Sequence, residues 1–470
     1  MTRLLLPLLL LPLAACAPTP PAPTPAAAAI DSAAASDSAP AASFDKPVSF
    51  AILEDWDKDA DLADVARDFA LFRELDVTTW RGSFGWDDYE PERGRYDFAW
   101  LHRFVELAAR EGITLRPYVG YTAEWAAAGR RADGQTWNDP PRDVADWRRF
   151  VDTLARAFAR HPTIASWEIY NEENTKLWWD GSVEEFAEVM RAGAEAFDAA
   201  DSTKAILMGG TVWPDVDWVE TVCGSGDGAV GRRVDVIPFH VYNETWPDSV
   251  AVEDYLTEGY REDYLPTVDR ACGRKPIWAN EVGFATSPGP GGRPNPRTSE
   301  RAQANWWARA FATLLADRRV EHIGIYEIKD QRQNTAVIGE AANYWLGLTR
   351  ADRTKKLAFH TVDLLTDLLD PGPGARLTVA PGELQVRVAA GRAGRLFHHL
   401  FRRPDGRQVL LVWDKTGDPT LRLTLARGGR SATEWGLDGA AVRAVPAFDG
   451  RTLDGVRLTA GEVRIFEIRP

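Results

Sequence analysis

Three Asn-Glu dipeptides, Asn171-Glu172, Asn243-Glu244 and Asn280-Glu281, each stand just after a short apolar run. A carboxyl presented at a strand end can act as an acid, a base or a nucleophile. Two of them flanking one bond can cleave a glycosidic link: one protonates the leaving oxygen, the other attacks or activates water. The attacking version needs the two groups about 5–5.5 Å apart. The chemistry therefore turns on which two of the three carboxyls face each other.

The elements that hold them narrow the choice. From Ser49 onward, short apolar runs alternate with amphipathic stretches. The runs predict strands at Ser49–Leu53, Thr78–Arg81, Thr114–Val119, Ala165–Tyr170, Ala205–Gly209, Val234–His240, Pro276–Ala279 and His322–Tyr326. Apolar residues at three- and four-residue spacing predict helices over Trp147–Ala159, Val183–Ala199, Ser299–Asp317 and Lys355–Leu369. Eight strands recurring at roughly 40-residue intervals predict an α/β fold, a closed (β/α)8 barrel over residues 46–371. Such barrels work at the C-terminal ends of their strands. The three dipeptides follow strands four, six and seven. Strands four and seven lie roughly opposite in an eight-strand ring, which favours Glu172 with Glu281 and leaves Glu244 as the decoy.

Pro371-Gly372-Pro373-Gly374 then breaks the chain. Residues 375–470 show alternating segments, Leu384–Val388, Gln408–Trp413 and Val463–Ile468, with a turn at Pro404-Asp405-Gly406. They predict a small antiparallel β-sandwich whose first role is packing against the barrel, with sugar binding as the alternative. At the other end Arg3 precedes an apolar run, Leu4–Leu13, too short to span a bilayer and shaped like a signal-peptide core. It closes on Leu13-Ala14-Ala15-Cys16, which looks like a bacterial lipobox with Cys16 as the lipidated residue. Ala17 follows instead of Asp, which by resemblance to Gram-negative lipoproteins implies anchoring at the outer membrane. Residues 17–45, rich in Pro and Ala, read as a disordered tether. Cys223 and Cys272, each near a helix end, are expected to pair in an oxidising compartment, the alternative being two separate thiols.

Bulk properties exclude other classes. A net charge of −14 argues against a nucleic-acid or anionic-membrane surface, so membrane attachment falls to the lipid anchor alone. Seven His, no Cys cluster, no HExxH and no Gly-rich phosphate loop give no metal or cofactor pattern, and a monomer is expected. The 19 Trp suit sugar stacking, although core filling explains them equally.

The motifs also resemble a known group. Trp167-Glu168-Ile169-Tyr170-Asn171-Glu172 looks like the strand-4 motif of clan A glycoside hydrolases, where the Glu after Asn is the acid/base. Ile277-Trp278-Ala279-Asn280-Glu281-Val282-Gly283-Phe284 is similar to the clan's strand-7 nucleophile motif, and Arg81…Trp86…Glu90-Pro91…Gly94…Tyr96 to its strand-2 segment. Within the clan, family 39 is nearest and family 5 next. The resemblance implies a retaining enzyme acting by double displacement on a β-linked poly- or oligosaccharide. Glu172 would be acid then base, and Glu281 the nucleophile, kept ionised by Arg81 and Tyr242. Asn171 would bond the sugar 2-hydroxyl, with His240 supporting the site. Two positions depart from the pattern: Glu173 replaces the usual Pro after the acid/base, and Tyr326-Glu327 the usual strand-8 Trp.

Around these, Trp178, Trp125, Trp86, Trp179 and Trp246 are candidate stacking platforms, and Glu327, Glu54, Asp55 and Asp330 candidate hydroxyl partners. The segments Gly120–Asp146 and Asn243–Asp263 are long enough to close one end of a groove. Two other readings use the same residues: a sugar-binding lipoprotein that has lost catalysis, and a transglycosylase.

Overall fold

Where β-branched and aromatic residues cluster between helix caps, the chain forms the barrel's strands. The computed structural model describes residues 42–129, 134–245, 250–257, 259–289, 293, 295–332, 341–442 and 446–470. The signal segment, Cys16, the tether up to residue 41 and Trp246 lie outside the described residues. Strand β1 spans Phe44–Lys46. The barrel strands β2–β9 span Ser49–Leu53, Thr79–Ser83, Thr114–Val119, Ser166–Ile169, Ala205–Met208, Ile237–Val241, Ile277–Val282 and Val320–Tyr326. They pair in parallel, in the order β6-β5-β4-β3-β2-β9-β8-β7. Bridges Leu207–Val236 and Thr211–Phe239 bring β6 to β7 and close the ring. Each observed strand overlaps its expected range.

Helices α1–α9 span Leu62–Glu74, Trp86–Tyr89, Ala99–Glu111, Val144–Ala157, Val183–Ala200, Val216–Arg233, Leu265–Ala271, Glu300–Ala316 and Leu357–Leu369. Their starts are set by side chains that accept first-turn N–H groups, from Asp61, Asp143, Asp215 and Ser299. Ser182 and Glu185 form a reciprocal capping box on α5. Helix α6 is interrupted where Gly226, Asp227 and Gly228 take positive φ. Just before that break Cys223 is disulfide-bonded to Cys272 at the end of α7, with Cα atoms 5.2 Å apart.

The C-terminal strands are β10 Leu377–Val379, β11 Leu384–Ala390, β12 Leu396–Arg402, β13 Gln408–Asp414, β14 Thr420–Leu425, β15 Ser431–Trp435, β16 Ala447–Phe448, β17 Thr452–Arg457 and β18 Arg464–Arg469. They make two antiparallel sheets, β1-β10-β12-β13-β18-β15 and β11-β14-β17-β16. Every residue of β13 is buried. Its side chains alternate: Val409, Leu411 and Trp413 join the barrel's core, while Leu410 and Val412 join the core between the two sheets. The larger sheet is thus covered on both faces, once by the barrel. One boundary needs correcting. Phe44–Lys46, read as the tether's end and the barrel's first residue, is a strand of this sheet, paired with β10. Three residues are too short for a period to show.

Candidate active site

Two local distortions bring the carboxyls together. After β5, Tyr170 and Glu172 adopt φ of 69° and 55°, an uncommon conformation for side chains of this size. Hydrogen bonds from Tyr170 N to Val119 O (2.8 Å) and from Glu172 N to Gly210 O (2.9 Å) hold the turn. Only glycine fits at 210, because a Cβ there would lie 2.3 Å from His240 Nε2. On β8 the register slips, so that Phe239 pairs with Ala279 but His240 with Glu281, leaving Asn280 as a bulge. Asn280 and Glu281 therefore both reach the cavity, although neighbours in a regular strand would face opposite ways. Gly324 makes room, since a Cβ there would sit 2.0 Å from Asn280 O.

Arg81, at the middle of β3, organises the wall. Its Nε and Nη2 donate to Glu168 (2.7 and 2.6 Å), Nη1 donates to Glu281 Oε2 (2.8 Å), and Nη2 also donates to Asn171 Oδ1 (2.7 Å). The planar fork suits this two-carboxylate grip, and its face lies 4.8 Å from the Tyr118 ring centre. Asn280 Nδ2 donates to both oxygens of Glu168 (3.0 and 3.1 Å). The Tyr242 hydroxyl donates to Glu281 Oε1. His240 stands between the carboxyls, its Nδ1 2.7 Å from Glu172 Oε1 and its Nε2 3.7 Å from Glu281 Oε2. One oxygen or nitrogen from each of Glu172, His240 and Glu281 lies within 4.8 Å of the others. That is near the spacing of a nucleophile-acid pair and short of the roughly 6.5–9.5 Å that admits an attacking water. The imidazole turns a different nitrogen to each carboxylate.

Electrostatics separate the groups. Burial would raise the Glu281 carboxyl, but the charges of His240 and Arg81 and the hydrogen bonds from Tyr242 and Arg81 outweigh it and hold it below the usual range. Asp55, at the end of β2 and open to the cleft, is pushed up to about 6 by the protein around it and then by the Glu281 charge. Glu173 is raised to about 8 by burial, with Glu168 and Glu172 adding to it. It is turned away under the strand ends, where a Cβ on Gly209 would meet its Oε2 at 2.1 Å.

Glu172, Glu281, Asn171, Arg81, His240 and Tyr242 thus come together, though not all as substrate contacts. Arg81 and His240 are 2% and 0% exposed and lie behind the carboxylates. Glu327, expected at the substrate, is wholly buried and accepts from Gln331 Nε2. Glu54 pairs with Lys329 and Asp330 with Lys356, both away from solvent. Trp86 and Trp179 are 1% exposed core residues. Trp125 is half-buried and donates from its indole to Glu90 O (2.7 Å). Trp178, partly buried like Trp125, stacks on Tyr121 with centroids 5.5 Å apart and is set beside Trp137 (5.6 Å). Sequence reasoning missed Glu168, whose in-phase position with Glu172 along the strand was the available signal. Trp213, on the segment after β6, is 46% exposed.

The chain has partial likenesses to known proteins. The family profile described as glycoside hydrolase 42, beta-galactosidase, matches residues 52–116, a segment that includes Arg81 and neither Glu172 nor Glu281. The beta-galactosidase BgaH of Haloferax lucentense is 31% identical over 108 residues, which is 19% of this chain and 16% of that protein's length. Among solved structures, a family 39 glycoside hydrolase from Bacteroides cellulosilyticus WH2 superposes with a TM-score of 0.64 at 13% identity, covering 90% of this chain and 81% of that one. A monomeric beta-xylosidase from Caulobacter crescentus CB15 gives 0.63 at 15% identity, over 92% and 98%. A family 30 endoxylanase from Clostridium papyrosolvens C71 gives 0.60 at 11%, over 91% and 98%. The chain shares its fold, barrel and β-sandwich together, with these clan A glycoside hydrolases.

Proposed function

We propose that this protein is a retaining O-glycosyl hydrolase acting on a β-linked poly- or oligosaccharide. The observation that carries the reading is the facing pair, with Glu281 gripped by Arg81 and Tyr242 and Glu172 bonded to His240. An ionised, desolvated carboxylate is a nucleophile. Glu281 attacks the anomeric carbon while Glu172 gives its proton to the leaving oxygen, forming a glycosyl ester on Glu281. Glu172, now ionised, takes a proton from water, which attacks the same carbon and releases Glu281. Two inversions retain the configuration. Asn171, held by Arg81, is in place to bond the sugar's 2-hydroxyl, and Asp55 offers a second hydroxyl partner on the open side of Glu281. Tyr121, Trp137 and Trp178 form an aromatic rim suited to further sugar rings. The Cys16 motif supports lipid anchoring at the outer membrane, and a Cys16→Ser chain recovered in the soluble fraction is the expected check.

The test is intact-mass spectrometry after incubation with 2-deoxy-2-fluoro glycosyl fluorides. One glycosyl adduct mapped to Glu281 is the expected result. An adduct on Glu244 would overturn the site, and weak sugar binding with no adduct would favour the catalytically silent binder. Products longer than the substrate, formed with added acceptor sugar, would mark a transglycosylase.

A further inference from the structure

Glu244, the third Asn-Glu carboxylate, does not enter the cleft. Its Oε2 accepts from Arg309 Nη2 on α8 (2.6 Å) and its Oε1 from Lys415 Nζ, just beyond β13 (2.5 Å). Glu253, a little further along the same connection, shares both cations: Arg309 Nη1 at 2.8 Å and Lys415 Nζ at 3.3 Å. Trp413 Nε1 donates to Glu253 Oε1 (2.9 Å), and Arg395 grips Asp254 through two bonds of 2.6 and 3.1 Å. Three sandwich residues therefore hold one barrel connection, the one that leaves β7. Two carboxylates meet two cations, and the Glu253 side chain is 1% exposed, so removing one cation leaves two adjacent negative charges, one of them buried, to share the other cation.

That connection carries the catalytic groups' supports. Glu244 sits at φ 66°, a conformation that surrounding contacts must hold. Two residues earlier is Tyr242, which donates to Glu281. Thr245 N donates to Tyr242 O (3.3 Å) and Thr245 Oγ1 to Gly283 O (3.4 Å), two residues past Glu281. Asn243 Nδ2 bonds Val250 O (3.1 Å), and the Tyr255 hydroxyl bonds the carbonyl of His240 (2.8 Å). Tyr242 and His240, which with Arg81 contact the carboxylate pair, are thus tied to the clamped segment.

We propose that Lys415 is a positioning residue of the active site: from the C-terminal sandwich it fixes the connection after β7 and thereby the Tyr242 hydroxyl on Glu281. The sandwich is then a working part of the site. The catalytic consequence rests on the glycosidase reading above; the positioning itself does not.

The experiment compares Lys415→Met, Lys415→Arg and, as a surface control in the same sandwich, Arg422→Ala. Hydrogen exchange by mass spectrometry is read over peptides covering 241–245 and over β4, alongside hydrolysis of 4-nitrophenyl β-xyloside, β-glucoside and β-galactoside. For Lys415→Met, exchange at 241–245 should quicken at least tenfold with β4 unchanged. Its kcat should fall about tenfold with KM nearly constant, as expected when one hydrogen bond to a charged nucleophile loosens. Lys415→Arg should restore both, and Arg422→Ala should leave both alone. Unchanged exchange at 241–245, or loosened exchange with unchanged kcat, overturns the proposal. If Lys415→Met does not fold, Trp413→Phe keeps an aromatic side chain and removes the indole bond to Glu253; it must loosen the same peptide or the proposal fails. If the wild-type chain turns over no glycoside, the exchange result alone decides the clamp, and it is the glycosidase reading that falls.

Discussion

Two clusters of buried acids occupy neighbouring strand ends of one barrel and behave in opposite ways. On β3, β5 and β8, Glu168 and Glu281 meet the whole donor edge of Arg81, with Asn280, Tyr242 and the Gly210 N–H adding to it. At the ends of β2 and β9, Glu54 and Glu327 meet Lys329 and Gln331, and Lys329 is shared with Asp68. Burial acts to raise Glu281 in the first and both carboxyls in the second. In the first the donors prevail and Glu281 falls below the usual range. In the second burial prevails, assisted by neighbouring negative charges: Glu54 rises to about 7 beside Asp68 and Asp55, and Glu327 well above its ordinary value beside Glu54. Depth does not separate them, since all four are at most 8% exposed. What separates them is the number of donors aimed at each oxygen. A barrel can therefore hold one acid ionised to attack and another neutral to fill space, a few ångströms of strand apart.

The strongest way to break the comparison is to remove the ionised member. Glu281→Gln should lower kcat/KM by roughly 10⁴-fold or more while circular dichroism stays native, because the interaction exists only along the reaction path. Next comes the donor that distinguishes the clusters. Arg81→Met strands Glu168 and Glu281 without their cation, and should cost about 3–5 kcal/mol in denaturant unfolding at pH 7. Stability equal to wild type would mean the two carboxyls are neutral, and the contrast between the clusters would vanish.

The sequence made the ionised cluster partly readable and the neutral one hardly at all. Glu172 and Glu281 could be found because strand periodicity and barrel closure place residues at the mouth by counting. Counting fails where the backbone departs from its period. The bulge at Asn280 turns two adjacent side chains inward, and nothing in Ile277–Val282 announces it. It fails again for partners set by folding. Lys415 lies 171 residues from Glu244, and nothing in the sequence singles out that lysine. Exposure was misjudged for the same reason: Trp86, which opens α2, and Trp179, on a connecting segment, are both covered by neighbouring aromatics. Glu327 stands at a strand end like a catalytic residue and is buried, bonded to Gln331. Residue type and position were legible, whereas the direction and company of each side chain were not.

A finer cut removes a single donor and keeps the cation. Tyr242→Phe takes one hydrogen bond from Glu281 and leaves Arg81 and His240 in place. The Glu281 carboxyl should then rise, moving the acidic limb of the kcat/KM profile up by about one pH unit, which corresponds to about 1.4 kcal/mol. An unmoved limb would assign the low value to Arg81 and His240 alone.

The smallest effect tests the neutral cluster. Glu327 in the folded chain keeps its proton well above the pH at which the unfolded chain releases it, near 4.5. Between those two values the unfolded state binds fewer protons, so wild-type stability must fall as pH rises through the window. Glutamine has nothing to release, and its amide oxygen can still accept from Gln331. Urea unfolding of Glu327→Gln should therefore match wild type near pH 4 and exceed it increasingly as the pH rises toward 7. Parallel stability curves for the two chains between pH 4 and 8 would mean that Glu327 is ionised in the fold. The donors around it would then suffice, and their number could not be what divides the two clusters.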